Sequence, residues 1–220
     1  MTQVDLDPAT VRGFLAVGVP TVCDIVEHDL GIRGWMAPEI KPLARTRIAG
    51  RAVTIELAPA PGAATSFDPM FAAVDACGPG SVLVVGNGGD RTISCMGDLV
   101  VAGLKARRAE GTVMDGAVRD IEPILEMGFP VFAASVSPVS LAGKSVFHGP
   151  GIPITCGGVE VRPGDVILAD WDGVVVIPQE KATAVLEKAL AKEAREQAIR
   201  ERIREAGGSA PLGQIFAEFD

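Results

Sequence analysis

Residues Gly86 to Asp120 constrain the fold most, because two short apolar runs each end abruptly in a loop rich in glycine and carboxylate. The first, Ser81-Val82-Leu83-Val84-Val85, stops at Gly86-Asn87-Gly88-Gly89-Asp90-Arg91, and the second, Thr112-Val113-Met114, stops at Asp115-Gly116. Runs this short, with β-branched residues, read as buried strands. Met96, Leu99, Val100, Gly103 and Leu104 then recur at three-and-four spacing, which predicts a helix starting near Gly97. Ile121 to Met127 reads as a second helix, opened by Asp120. If the two strands lie parallel in one sheet, both loops emerge at its carboxyl-terminal edge, where ligands of open α/β sheets bind.

No Ser/Pro/Lys-rich linker divides the 220 residues, which argues for one domain over 1–220. A formal net charge of −8 argues against a nucleic-acid binder, which carries a concentrated basic footprint. The densest basic cluster, Lys105-Ala106-Arg107-Arg108, falls at the far end of a predicted helix, where the dipole favours cations. Cys23, Cys77, Cys95 and Cys156 are widely spaced, without a CxxC pair, and read as free thiols of a cytoplasmic protein. No apolar run approaches the roughly 20 residues of a membrane span.

Before the central stretch, Asp7-Pro8 predicts a capped helix start, and Val22, Ile25 and Val26 share one face of a helix from Pro20 to His28. Gly31 to Leu43 reads as irregular, Arg47 to Leu57 as a strand interrupted by Gly50, and Phe67 to Ala76 as a helix. After it, Val159-Glu160-Val161, Val166 to Ala169 and Gly173 to Ile177 read as short strands separated by Pro-Gly-Asp and Asp-Gly turns. A helix from Gln179 to Ala206 follows.

The first glycine loop matches neither a P-loop nor a dinucleotide fingerprint. The helix start after Gly97 does offer free amides near Leu99 and Val100 as a carboxylate site. Asp98 and Asp120 at helix starts are compatible with simple dipole compensation as well as with chemistry. Arg119 is harder to explain, because a cation in a first helical turn opposes the dipole. His28, His148 and Lys144 are isolated in the sequence and read as surface or packing residues.

Asp98, twenty residues from Leu99 to Val118, and then Arg119-Asp120 resemble the Asp-x20-Arg-Asp signature of the family that includes regulator of ribonuclease activity A. The same family includes class II pyruvate aldolases acting on 4-hydroxy-4-methyl-2-oxoglutarate and 4-carboxy-4-hydroxy-2-oxoadipate. The similarity extends through Asp115-Gly116-Ala117-Val118, Phe129-Pro130-Val131-Phe132-Ala133, Val161-Arg162-Pro163-Gly164-Asp165 and Ala169-Asp170-Trp171-Asp172-Gly173, covering roughly Val11 to Ile203. It implies an α/β swivelling-domain-like fold, a layered α/β/β sandwich with a C-terminal helix. It also implies trimers or hexamers with sites at subunit interfaces.

Carried over by residue, the resemblance makes Asp120 the ligand of a divalent ion, Mg2+ or Mn2+. Asp98 would hold the metal's waters, and Arg119 would face the substrate's 2-oxo oxygen. Gly97, Leu99 and Val100 would bind substrate through the helix start. A glutamate from a neighbour's C-terminal helix takes part in the family's aldolases, and Glu196 is the candidate among Glu193, Glu196 and Glu201. The implied reaction releases pyruvate from a 4-hydroxy-2-oxo acid, with oxaloacetate decarboxylation as a second activity. The other family role is non-catalytic binding to an endoribonuclease.

Overall fold

The computed structural model describes residues 6–219. Helix α1 (Pro8–Gly13) opens as the sequence predicts, with the Asp7 carboxylate accepting from the Ala9 amide at 2.9 Å and Pro8 at the first helical position. Helix α2 (Val19–Leu30) buries Val22, Ile25 and Val26 and ends at Gly31, whose φ of 66° closes it in the left-handed region. Then come β1 (Lys41–Pro42), β2 (Ile48–Pro59), α3 (Asp68–Ala76), β3 (Ser81–Gly86), β4 (Ser94–Met96), α4 (Asp98–Ala106), β5 (Gly111–Val118), α5 (Ile121–Met127) and β6 (Val131–Val136). The second half holds β7 (Ser145–His148), β8 (Ile154–Cys156), β9 (Val159–Val161), β10 (Val166–Ala169), β11 (Val174–Ile177), α6 (Ala182–Ala206) and α7 (Leu212–Ala217).

One sheet runs in the order β1-β6-β5-β3-β2-β10-β11, with β4 beside the end of β5 and β7 beside the end of β2. Strands β2, β3, β5 and β6 are mutually parallel, so the loops after β3 and β5 do leave from the same edge. Residues 34–43 connect the two margins of the sheet. The Met36 amide donates to the Val174 carbonyl on β11 at 3.0 Å, and the Leu43 amide donates to the Val131 carbonyl on β6 at 2.9 Å. The sheet is thereby nearly closed, and its edge strands find partners instead of presenting open ladders.

Side-chain alternation on this curved sheet creates three packed regions. Val82, Val84, Val113, Phe132 and Ile167 point inward, where the β8-β9 hairpin fills the interior with Ile154, Cys156, Val159 and Val161. Leu83, Val85 and Met114 point outward beneath α3, α4 and α5, meeting Met70, Val101, Leu104 and Ile124. Over the other margin, α1, α2 and α6 cover Ala49, Val166, Leu168, Val175 and Ile177. Both faces of β3 are therefore buried, which is why Val82 to Val85 is apolar at every position. The result is the layered α/β/β sandwich with a long C-terminal helix. No single helix among the described residues is long and apolar enough to cross a membrane.

Several local expectations are corrected. Strand β5 does not stop at Met114 but continues through Asp115-Gly116 to Val118, with a register shift between Met114 and Ala117. The strand tolerates Asp115 there because backbone amides of Asn87 and Gly157 donate to its two carboxylate oxygens. Gly116 is required by close approach: an added Cβ would lie 2.5 Å from both Asn87 Nδ2 and Cys95 Sγ. Gly50 does not interrupt β2; it lets β2 and β3 pack where a Cβ would meet Val82 Cγ2 at 2.8 Å. Strand β4, three residues long, is too short to show a period in the sequence. His148 ends β7, paired with Glu56 of β2, and is exposed.

Candidate active site

Parallel β4 and β5 deliver their chain ends to one place: Gly97 and Asp98 enter α4, while Arg119 and Asp120 lie between β5 and α5. Arg119 thus precedes α5 rather than occupying its first turn, which removes the dipole conflict expected from the sequence. Gly97, Asp98, Leu99, Val100, Arg119 and Asp120 together line a cleft of about 250 Å³. Phe67, Met70, Phe71 and Leu141 are among the residues of its other walls. The sequence reading missed these four: helical spacing marks Met70 and Phe71 as packing residues, and nothing local connects Phe67 or Leu141 with Arg119.

Gly97 is the hinge of the arrangement. Its backbone is extended, so its value lies in having no side chain: a Cβ would stand 2.2 Å from Asp120 Oδ2 and 3.1 Å from Arg119 Nε. Into that space the Asp98 amide donates to Asp120 Oδ2 at 3.4 Å, and Arg119 Nε approaches the same oxygen at 3.4 Å. Asp120 itself sits at φ 60°, ψ 47°, a left-handed conformation that costs a non-glycine residue roughly 1–2 kcal/mol. Strain of this kind concentrates at functional sites. The first bond within α4, from the Val101 amide to the Gly97 carbonyl at 3.3 Å, leaves the Leu99 and Val100 amides ahead of it at the helix start.

The donor set suits a hard divalent ion. Asp98 and Asp120 supply two carboxylates, and no group of three His, Cys, Asp or Glu side chains that could hold a metal exists among the described residues. Magnesium is held by one or two carboxylates plus water and substrate oxygens, whereas a structural zinc demands a closed set of four nitrogen or sulfur ligands. The side-chain-free cradle at Gly97 leaves the Asp120 carboxylate room beside the Asp98 amide.

Cys95 also borders the cleft, with its side chain buried. Burial first, and then the charges of Asp115 and Asp90, push its thiol far above the ordinary range. Burial likewise raises the Asp115 carboxyl, against the opposing effect of the amides that donate to it. Asp115 ties the loop after β3 to the β8-β9 hairpin and does not line the cleft.

Glu196 stands apart from the other candidates. It lies on α6, which packs over α2 and α1, and it pairs with Arg200 at 3.5 Å and Lys192 at 4.0 Å. No residue of α6 lines the cleft of its own chain.

Residues 19–176 match the RraA-like family model described as Aldolase/RraA. A protein of Halalkalibacterium halodurans named "Putative 4-hydroxy-4-methyl-2-oxoglutarate aldolase" is 35% identical over 208 residues, which cover 92% of this chain and 93% of that protein. The crystal structure of Streptomyces coelicolor RraAS2, described as an unusual member of the RNase ES inhibitor RraA protein family, superposes with a TM-score of 0.84 at 30% identity. It covers 90% of this chain and 100% of that one. An uncharacterized protein from Pseudomonas syringae superposes with a TM-score of 0.87 at 26% identity, over 99% and 97% of the two chains. With its sequence matched over most of its length and its fold matched over nearly all of it, this chain belongs to the RraA-like family.

Proposed function

We propose that this protein is a divalent-metal-dependent class II aldolase that cleaves a 4-hydroxy-2-oxo acid, such as 4-hydroxy-4-methyl-2-oxoglutarate, between C3 and C4 to release pyruvate. The observation that carries the reading is the convergence of Asp98, Arg119 and Asp120 on one cleft around Gly97. The name of the Halalkalibacterium halodurans relative supports it.

Asp120, with Asp98 beside it, would hold Mg2+ or Mn2+, which when bound supplies Lewis-acid polarisation of the 2-oxo group. The Leu99 and Val100 amides at the start of α4 receive the substrate carboxylate, where backbone N–H groups and the helix dipole favour an anion. Arg119 places its positive charge where the C2 oxygen gains negative charge as the C3–C4 bond breaks. The C4 hydroxyl becomes the carbonyl of the departing fragment, and a proton must leave that oxygen and another reach C3. Glu196 from a neighbouring copy is assigned as the base in a trimer or hexamer. Oxaloacetate decarboxylation would use the same Asp98, Arg119 and Asp120 and needs no base at a C4 hydroxyl. We place the protein in the cytoplasm, where its four free cysteines stay reduced, and assign it no nucleic-acid or membrane partner.

Pyruvate release, coupled to lactate dehydrogenase, from 4-hydroxy-4-methyl-2-oxoglutarate and from oxaloacetate tests the reading. Release from both with Mg2+, and loss with a chelator, is the expected result. The similarity to the Streptomyces coelicolor inhibitor-family protein favours a second reading, binding to an endoribonuclease. Absence of metal-dependent turnover together with tight binding to such an enzyme would put that reading first.

A further inference from the structure

A second cleft, of about 320 Å³, lies at the edge of the sheet where the parallel strands begin, opposite the edge that carries Asp98, Arg119 and Asp120. Helix α1 lines it with Pro8, Val11, Arg12 and Leu15, β2 with Ala49 and Arg51, and the segments ahead of β3 and β5 with Pro79, Gly80 and Glu110. It shares no lining residue with the first cleft. The outer face of β2 passes here between two helical layers: Ala49 packs with α1, α2 and α6, and Val53 packs against the core under α3, α4 and α5. Arg51 lies between them on the same face of the strand and is half-buried.

The chain carries a net charge of −8, yet this cleft gathers two guanidinium groups, Arg12 and Arg51, against one carboxylate. That carboxylate is engaged: Glu110 Oε1 accepts from the Gly80 amide at 2.9 Å. Arg47, just ahead of β2, is satisfied in the ordinary way, pairing with Asp170 at 3.2 Å and donating to the Leu15 carbonyl at 3.3 Å. Among the described residues, Arg12 and Arg51 have no such pairing. A cation half-buried in a strand has lost part of its water and is stabilised by an acceptor brought to it. Guanidinium N–H groups match the paired oxygens of carboxylates and phosphates, and Val11, Leu15 and Pro79 set carbon surface beside them.

We infer that this cleft is a second ligand site, which takes a small organic anion with its carboxylate or phosphate head at Arg12 and Arg51 and a short apolar body against Val11, Leu15 and Pro79. Its volume is at the small end of ligand pockets, which run from about 300 to 1,000 Å³. The ligand is therefore a small metabolite and not a nucleotide or a polymer. The site uses no group of the first cleft and holds whether or not that cleft cleaves a 4-hydroxy-2-oxo acid.

The test is calorimetric titration of the intact, assembled protein, without added metal, with butyl phosphate, hexanoate, inorganic phosphate and butylammonium. At least one of the two organic anions should bind, butylammonium should not, and binding should weaken as salt screens the guanidinium groups. Arg12→Gln and Arg51→Gln should each weaken binding at least about tenfold. Arg119→Ala, which removes the cation of the first cleft, and Arg33→Gln, which removes an exposed cation elsewhere, should leave it unchanged. Because Arg12 is exposed on α1, its replacement separates lost binding from lost folding. Tighter binding of butyl phosphate assigns a phosphate head, and tighter binding of hexanoate a carboxylate. Failure of both to bind the assembled protein, as when a neighbouring copy fills the cleft, overturns the inference. Binding that is lost in Arg119→Ala but kept in Arg12→Gln and Arg51→Gln does the same, as does inorganic phosphate binding as tightly as butyl phosphate.

Discussion

Asp120 shows how much of this site depends on a few ångströms at single residues. Because a Cβ at Gly97 would collide with Asp120 Oδ2 and crowd Arg119 Nε, Gly97→Ala should displace both groups and lower kcat/KM for pyruvate release at least about tenfold. Arg119→Ala and Asp120→Ala remove charge outright and should lower it by several orders of magnitude while the circular dichroism of the fold persists. The two side chains are 43% and 39% exposed and support no core. The left-handed backbone at Asp120 separates charge from conformation. Asp120→Asn, which tolerates that region, should stay close to wild-type stability, whereas Asp120→Ala should lose about 1 kcal/mol in urea unfolding.

Asp115 supplies a pH test at the same scale. Burial raises its folded-state pKa above the unfolded value, so the folded chain binds the proton more tightly. Its stability contribution is then fully present below the ordinary carboxylate range, about pH 4, and is lost as pH rises through the raised value. Paired urea titrations of wild type and Asp115→Asn should show the wild-type advantage largest near pH 4 and shrinking toward neutrality. An advantage that grows with pH would contradict the assignment.

Helix α6 illustrates what holds an element in place. Lys188 and Lys192 pair with Asp29 and Asp24 on α2, yet these side chains are largely in water and such pairs are worth about 0–1 kcal/mol. Val185, Leu186 and Ala189 are buried against α1 and α2. A Cβ on Gly13 would lie 2.6 Å from Leu186 Cδ2, a measure of how closely α1 and α6 approach. Leu186→Ala should therefore cost about 2–5 kcal/mol, while Lys188→Ala and Lys192→Ala together should cost about 1 kcal/mol or less by urea denaturation. The central elements follow the same logic: α4 is held by Val101 and Leu104, so its exposed first turn is left to form the cleft.

Across the whole molecule, near closure of the sheet explains where the free surface lies. Residues 34–43 seal the margins, the hairpin fills the interior, and two helical layers cover most of the outside. Large apolar side chains left exposed include Phe71 and Leu99 beside the cleft and Leu212 and Phe216 on α7. Exposed apolar residues beside a site are suited to contact between copies. Light scattering behind size exclusion should give three or six times the 22.8 kDa chain mass, and a stable monomer at micromolar concentration would remove Glu196 of a neighbour from the mechanism.

The amino-acid sequence by itself determined the strands at Val82 to Val85 and Val174 to Ile177, the helix starts at Asp7, Asp98 and Ile121, and the spacing that marks Asp98, Arg119 and Asp120. These are local properties: burial on both faces, capping chemistry and helical period each leave a pattern within a few residues. Tertiary structure alone decided that β5 runs on through Asp115, because the amides that satisfy that carboxylate come from Asn87 and Gly157, distant in the chain. It also decided that Gly97 must lack a side chain and that Phe67 and Leu141 face the same cleft as Arg119. Those facts depend on distances between segments that only the curvature and closure of the sheet bring together, and no periodicity within a single segment encodes them.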